Sequence, residues 1–370
     1  MRAVVWEGPD VPMQVEEIPD PRPGPGEVLV RVAATGVCHT DLHVMKGEVA
    51  FPGPGVLGHE ISGHVEALGE GVDGFAVGDR VVGAFIMPCG TCSQCRDGRD
   101  DMCETFFAEN RLRGNLFDGT SRLTRADGSR LSMYSMAGLA ELAVVPVTAL
   151  AALPESLPLE ESAVLGCAAF TAYGALARAQ HDIRGRAVAV VAVGGVGSAI
   201  VQLARHLGAS PVIAVDVDDD KLAAVRDLGA DVVVNSRTTD AREAVLEATG
   251  GAGAELVLEV LGRPETVELG FSLLREGGQL VVVGIAAGAA TAAIPITPMV
   301  RRGMTITGSF GARTRRDLPE VVRLAAEGAF DVRRTVTRRF ALDEAPQAYD
   351  LLDAGRIQGR AVVVMDRPNP

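Results

Sequence analysis

Cys89, Cys92, Cys95 and Cys103 form a C-x2-C-x2-C-x7-C array, the tightest constraint on the path of this 370-residue chain. Three thiols spaced three residues apart, with a fourth one short loop later, can close around a single ion. Four thiolates in tetrahedral array are the donor set of a closed structural zinc site. The alternatives are a disulfide pair or unrelated buried thiols, and the spacing favours ligation over both. The two remaining cysteines, Cys38 and Cys167, are then available for a second metal.

Composition narrows the setting. Hydrophobic residues make up 47% of the chain and charged residues 22%, a balance that can build large cores, and the length suggests two domains. Aromatic residues are only 4%, so Val, Leu, Ile and Ala must fill most of those cores. A net charge of −13 argues against nucleic-acid or anionic-membrane partners. The N-terminus has no long apolar run and no 18-residue apolar stretch occurs, so neither a secretory signal nor a transmembrane helix is expected. Thiolate ligation suits a reducing compartment, which points to the cytoplasm.

The pattern changes near residue 168. Before it, short apolar runs such as 28–32 and 78–82 lie between Gly and Pro, as in a mostly β domain with long loops. Residues 104–136 read as one long loop without a clear period, packed over the zinc lobe or beside the active site. From 168 onward, apolar strands alternate with helical segments. Runs at 187–193, 212–216, 231–234, 255–260, 279–283 and 304–307 suit parallel strands buried on both faces. Ile200, Leu203, Ala204 and Leu207 mark one helix face, and 218–228 opens with three aspartates suited to a first turn. The predicted class is α/β, with a doubly wound sheet after the β domain. A helix is predicted at 317–327, and the strand-like run 360–364 should return to the first domain. The expected domains are 1–167, 168–311 and a returning segment 312–370.

The first strand of the second domain runs into Ala192-Val193-Gly194-Gly195-Val196-Gly197. Gly194 lets the backbone approach a pyrophosphate, Gly197 lets helix pack on strand, and the helix N-terminus offers free N–H groups. Ala192 stands where the dinucleotide fingerprint has its first glycine. By itself the turn could be an ordinary strand–helix junction. Asp216, 19 residues after Gly197, strengthens the reading because a carboxylate there binds ribose hydroxyls. It would also repel a 2′-phosphate, favouring NAD over NADP. Asp216 could instead cap the following helix. Lys221, one of two lysines in the chain, could share the ribose or be a solvated helix lysine.

Cys38, His59 and Cys167 are the remaining metal candidates. Two thiolates and an imidazole leave a fourth position on zinc open, as a catalytic site requires. Their wide separation does not prove the set, and Cys167 alone could be a small buried hydrophobe.

Taken together, 38–43 (CHTDLH), 58–60 (GHE), the four-cysteine lobe, Gly166-Cys167, the glycine turn, Asp216, 259–263 (EVLGR) and 283–285 (VGI) resemble the zinc-dependent alcohol dehydrogenases of the medium-chain dehydrogenase/reductase superfamily, essentially end to end. The resemblance implies a GroES-like catalytic domain plus a Rossmann domain, with two zinc ions per chain and NAD. It assigns Cys38, His59 and Cys167 to the catalytic zinc and makes Glu60 a carboxylate able to approach that metal. Asp41 would hold the far nitrogen of His59. Thr40 would take the alcohol proton and His43 would pass it to solvent. His39 and Arg360 match pyrophosphate contacts, Arg263 an adenine contact, and Val283 and Ile285 the nicotinamide flanks. Phe85 and Tyr134 would wall the substrate pocket. The extended loop after the lobe resembles a branch with many dimeric members, so a homodimer is expected, with a tetramer as the alternative.

The implied reaction is reversible hydride transfer between an alcohol and NAD, giving an aldehyde or ketone. Rivals from the same superfamily are a polyol or amino-alcohol dehydrogenase, a biosynthetic carbonyl or double-bond reductase, and a thiol-adduct formaldehyde dehydrogenase. A rival of another class is a non-catalytic zinc- and nucleotide-binding protein.

Overall fold

The computed structural model describes residues 1–9, 11–286 and 288–365. They divide into two compact units, Met1–Phe170 with Arg313 onward, and Thr171–Ala312. The division therefore falls after 170 and 312, where the sequence places it after 167 and 311. Helix Ala168–Leu176 runs through the first junction and blurs it. Residues 366–370 of the expected third segment lie outside the described residues.

The first unit is mostly β. Its longest strand, β1 (Glu27–Val37), pairs antiparallel with β2 (Ile61–Leu68), which pairs antiparallel with β3 (Arg80–Gly83). The tail strand Arg360–Val364 lies antiparallel along the Ala34–Val37 end of β1, so the chain rejoins its first sheet. This sheet fixes where the later site can form. Thr35 faces Ile61, and the Gly36 N–H donates to the Glu60 carbonyl at 2.8 Å. Continued two residues past Thr35, the same register sets Val37 across from His59, with Cys38 next in the chain. Helix α1 (His39–Met45) starts there, with Cys38 as its N-cap. On the other side of β2, Ile61 faces Gly83. Just past β3 the Phe85 N–H donates to the Gly166 carbonyl at 3.2 Å. A Cβ on Gly166 would stand 1.9 Å from the Gly83 carbonyl oxygen, so only glycine lets Cys167 come this close to β3.

The long segment 104–136 is more ordered than its sequence suggests. It holds a π-helical turn, Phe106–Arg111, and the paired strands Leu123–Thr124 and Arg130–Met133. A π-turn has no 3.6-residue period, and strands of two and four residues are too short to show alternation, which is why no pattern was visible.

The second unit is a parallel sheet of β4 (Val188–Val191), β5 (Val212–Asp216), β6 (Val232–Asn235), β7 (Ala254–Glu259), β8 (Leu274–Val282) and β9 (Thr305–Gly308). Its order is β6-β5-β4-β7-β8-β9, with every pairing parallel. This is the doubly wound dinucleotide-binding order, reversing direction at β4. Every residue of β4, β5 and β7 is buried, as the unbroken apolar runs require of strands covered on both faces. Helix α2 (Gly195–His206) buries Ile200, Val201, Leu203 and Ala204. Leu207 does not join that face: it is the C-cap and 36% exposed, because the helix ends one residue earlier. Helix α3 (Asp219–Asp227) is capped by Asp218, whose carboxylate accepts from the Asp220 and Lys221 N–H groups.

Ala192, at the β4–α2 turn, has φ 72°, a left-handed conformation that an L side chain adopts only at a cost. The turn needs the conformation that glycine gives freely, and this chain accepts strain there. Gly197 explains the sharpness of the turn, since a Cβ on it would lie 2.1 Å from the Ala192 carbonyl oxygen. Ala192→Gly should therefore stabilise the protein by up to about 1 kcal/mol and raise its melting temperature by roughly 2–4 °C. An unchanged or lowered melting temperature in calorimetry would contradict this account of the turn.

Candidate active site

His59 is fully buried, and its two ring nitrogens have different surroundings. Nδ1 lies 2.9 Å from Asp41 Oδ1. Asp41 is itself fully buried on α1, and it also accepts from the Gly58 N–H at 3.2 Å and from the Tyr349 hydroxyl at 3.0 Å. A carboxylate that can only accept places a proton on Nδ1, so in the neutral ring the lone pair sits on Nε2. Nε2 is buried with no hydrogen-bond partner. Its neighbours are Cys38, Glu60 and Cys167, whose donor atoms all lie within 4.8 Å of one another and of the ring. An orphaned imidazole lone pair among two thiols and a carboxylate, with the far nitrogen held by a carboxylate, is a donor set that fits zinc.

The electrostatics of this cluster are uneven. The hydrogen bond between Cys38 and Cys167 holds the Cys38 thiol well below the usual range and the Cys167 thiol well above it; burial resists ionisation of both, and His59 helps Cys38. Burial opposes charge on His59, but Asp41 and Cys38 outweigh it and raise its pKa well above the usual range. Glu60 is pushed up to about 7, chiefly by burial and partly offset by Arg360. Glu60 Oε1 pairs with Arg360 and lies 3.7 Å from His59 Nε2, while Oε2 has no partner. Arg360 also donates to the Val37 carbonyl at 3.2 Å and is only 6% exposed. The observed partner of Arg360 is thus Glu60, a contact the sequence did not suggest.

Thr40 and His43 occupy neighbouring turns of α1. The Cys38 thiol lies 3.6 Å from Thr40 Oγ1, so Thr40 borders the cluster, whereas His43 is exposed with Nδ1 on Glu48. His39 is exposed at the start of the same helix. The Phe85 and Tyr134 rings stand nearly perpendicular to the His59 ring, at centroid distances of 6.0 and 6.2 Å. Glu48 and Tyr349 were not found from sequence. Glu48 lies in an unpatterned loop, and Tyr349 reaches Asp41 across 308 residues of chain.

In the lobe, all six cysteines of the chain being free, no disulfide competes with ligation. The Sγ atoms of Cys89, Cys92, Cys95 and Cys103 converge within 4.8 Å, with Cys92 and Cys103 3.9 Å apart. Four sulfurs at about 2.3 Å from one zinc would stand roughly 3.8 Å apart, so the set fits. N–H groups of Cys89, Thr91, Cys92 and Phe106 already point at Cys103 and Cys89 sulfurs, ready to stabilise thiolates. Burial raises the Cys103 thiol to about 11 and pushes Cys95 up as well, whereas Thr105 and Thr91 overcome burial and bring Cys89 down to about 6. Arg315 fastens the lobe from the returning segment, bonding Asp100 at 2.6 Å and the Cys95 carbonyl at 2.6 Å.

In the second unit, α2 has no side-chain cap, and a Cβ on Gly194 would meet nothing within 4 Å. The N–H groups of the first turn thus have no side-chain cap, which fits a pyrophosphate. Asp216 ends β5; its Oδ2 accepts from the Val193 N–H at 2.8 Å and its Oδ1 from Val217 and Asp218. Asp216 thus braces the glycine turn, with lone pairs to spare for ribose, and leaves helix capping to Asp218. Lys221 stands 4.0 Å from Asp218 and is half-exposed. Arg263 is the exposed N-cap of helix Pro264–Ser272. Val283 is partly buried and Ile285 71% exposed just past β8.

The zinc-binding dehydrogenase family profile matches residues 195–327, and the alcohol dehydrogenase GroES-like domain profile matches residues 24–155. An alcohol dehydrogenase of Geobacillus stearothermophilus is 35% identical over 99% of this chain and 100% of its own length. The crystal structure of benzyl alcohol dehydrogenase from Acinetobacter calcoaceticus superposes with a TM-score of 0.91 at 31% identity, covering 99% of each chain. A zinc-binding dehydrogenase of Sinorhizobium meliloti, solved bound to NADP, gives 0.82 at 28% identity over 98% of each chain. The chain belongs to the zinc-dependent alcohol dehydrogenase family of the medium-chain dehydrogenase/reductase superfamily. It is a zinc-dependent alcohol oxidoreductase.

Two zinc ions per chain are expected by metal analysis, falling to one in Cys38→Ser and to one in Cys95→Ser. Tyr349→Phe removes a donor to Asp41 and should weaken zinc retention at the His59 site about tenfold, read by competition with a chelator. The raised Cys95 and Cys103 thiols must lose protons when zinc binds, so lobe affinity should fall as pH falls from 8 to 6. Affinity that is flat across that range would contradict ligation by these thiols.

Proposed function

We propose that this protein is an NAD-dependent zinc alcohol dehydrogenase that moves hydride reversibly between an alcohol and NAD, giving an aldehyde or ketone. The observation that carries the reading is His59, buried with Nδ1 fixed by Asp41 and Nε2 left without a partner between Cys38 and Cys167. When bound, zinc supplies Lewis acidity at the substrate oxygen and NAD supplies the hydride acceptor. Cys38, His59 and Cys167 would hold that zinc, and Glu60 would exchange with them. Cys89, Cys92, Cys95 and Cys103 would hold the second zinc in a structural role.

Thr40 takes the alcohol proton through its hydroxyl. His43, one turn along the same helix and open to solvent, carries the proton away, with Glu48 orienting its ring. Phe85 and Tyr134 exclude water around the reacting carbon. Gly194–Gly197 and the α2 N-terminus would receive the pyrophosphate, and His39 and Arg360 would assist. Asp216 and Lys221 would take the ribose, Arg263 the adenine, and Val283 and Ile285 the nicotinamide. Asp216 favours NAD because its charge repels a 2′-phosphate. We further place the protein in the cytoplasm as a homodimer; among the described residues no helix is long and apolar enough to cross a membrane.

A spectrophotometric panel of primary, secondary, aromatic and polyol alcohols with NAD and with NADP tests the reading. NADH should form with NAD, and Cys38→Ser should abolish turnover while the lobe zinc stays. Full activity with one zinc per chain would refute the metal assignment, and a preference for NADP would refute the role of Asp216.

A further inference from the structure

One cation beside the metal centre has no part in the chemistry above. Arg111 closes the π-helical turn Phe106–Arg111, and its guanidinium carbon lies 4.4 Å from the Tyr134 ring centroid, 5.2 Å from Phe106 and 5.7 Å from Phe85. Its Nη1 is buried without a hydrogen-bond partner. Among the described residues its side chain makes no ion pair, although the chain carries 48 acidic residues. Arg122, Arg125, Arg315 and Arg360 all have carboxylates. Ring faces offset part of the cost of burying a cation, but they do not satisfy five N–H donors arranged for a planar anion. The residue as a whole keeps some exposed surface.

The surroundings hold this arrangement in place. Asn110 is fully buried, and its amide nitrogen lies within 3.2 Å of the carbonyls of Asn115, Met133 and Ser135. Its oxygen accepts from the Ser135 N–H at 2.9 Å, and the Ser135 hydroxyl donates to the Phe85 carbonyl at 2.8 Å. The backbone at Tyr134 and at Phe85 is therefore tied to the residue next to Arg111. Those two rings are also the ones that meet His59. The guanidinium and the candidate metal ligand thus share two aromatic walls.

We propose that Arg111 sets the specificity of this site for alcohols and aldehydes that carry a carboxylate, separated from the reacting carbon by an aromatic ring or a short chain. The proposal rests on the dehydrogenase reading. The hydroxyl-bearing carbon gives a hydride to NAD and the hydroxyl gives its proton to solvent, so the alcohol becomes an aldehyde and NAD becomes NADH. The carboxylate is unchanged and serves as the anchor.

The test compares para-(hydroxymethyl)benzoate with benzyl alcohol on the zinc-loaded full chain, in wild type, Arg111→Met and Arg111→Lys. Wild type should favour the carboxylate by at least about tenfold in kcat/KM, the scale of one charge-assisted anchor. The ratio should collapse toward one in Arg111→Met and lie between in Arg111→Lys. Calorimetric binding of both compounds gives a readout independent of turnover. A wild-type ratio near one, with alcohols turned over, overturns the carboxylate proposal and leaves the dehydrogenase reading standing. Arg111-dependent carboxylate binding without turnover of any alcohol overturns the dehydrogenase reading alone. If Arg111→Met melts before assay, the wild-type ratio and Arg111→Lys decide.

Discussion

The hydrogen bond between Asp41 and His59 is the contact on which the candidate site depends. A buried carboxylate is costly, of the order of several kcal/mol, unless its oxygens are satisfied. Asp41 meets that demand with a ring nitrogen, a backbone N–H and a tyrosine hydroxyl. In return it fixes one tautomer of His59 and aims the free nitrogen at two thiols. Without that bond the ring could turn, and the donor set would lose its only nitrogen.

The sheet explains why the donors meet. Cys38 and His59 lie just beyond the paired ends of two adjacent antiparallel strands, and their closeness follows from the register Thr35–Ile61. Cys167 arrives through a separate approach, the contact of Gly166 on β3, which a side chain would block. Two features of the fold, a register and a missing Cβ, thus assemble candidate ligands that stand far apart in the chain. The lobe is built differently. Its four sulfurs come from one short segment and need little from the rest, except that Arg315 fastens it to the returning segment.

The second unit depends more on its strand order than on any single residue. A parallel sheet whose strand order turns back at β4 leaves the α2 N-terminus and Asp216 on neighbouring elements. Asp216, expected from sequence to bind ribose, has a carboxylate that holds the turn containing the strained Ala192. That brace offsets part of the cost of an alanine in a glycine's conformation.

Local pattern made much of this legible in advance. The apolar runs of β4 to β9, the cysteine spacing, the glycine turn and the motif around Cys38 each lie within a few residues, where period and spacing act directly. What stayed hidden depends on chain distant in sequence. Tyr349 on Asp41, Arg360 on Glu60 and Arg315 on the lobe are pairings across 215 residues or more. Arg111 was missed for another reason: it sits in a π-turn whose spacing matches neither helix nor strand. The sequence alone determined which chemical groups exist and which elements carry them, because those follow from local backbone preference and side-chain type. Only the tertiary structure decided which nitrogen of His59 is free, which carboxylate is paired and that Nη1 of Arg111 is buried without a partner, because hydrogen bonding and burial are properties of neighbours that the fold brings together.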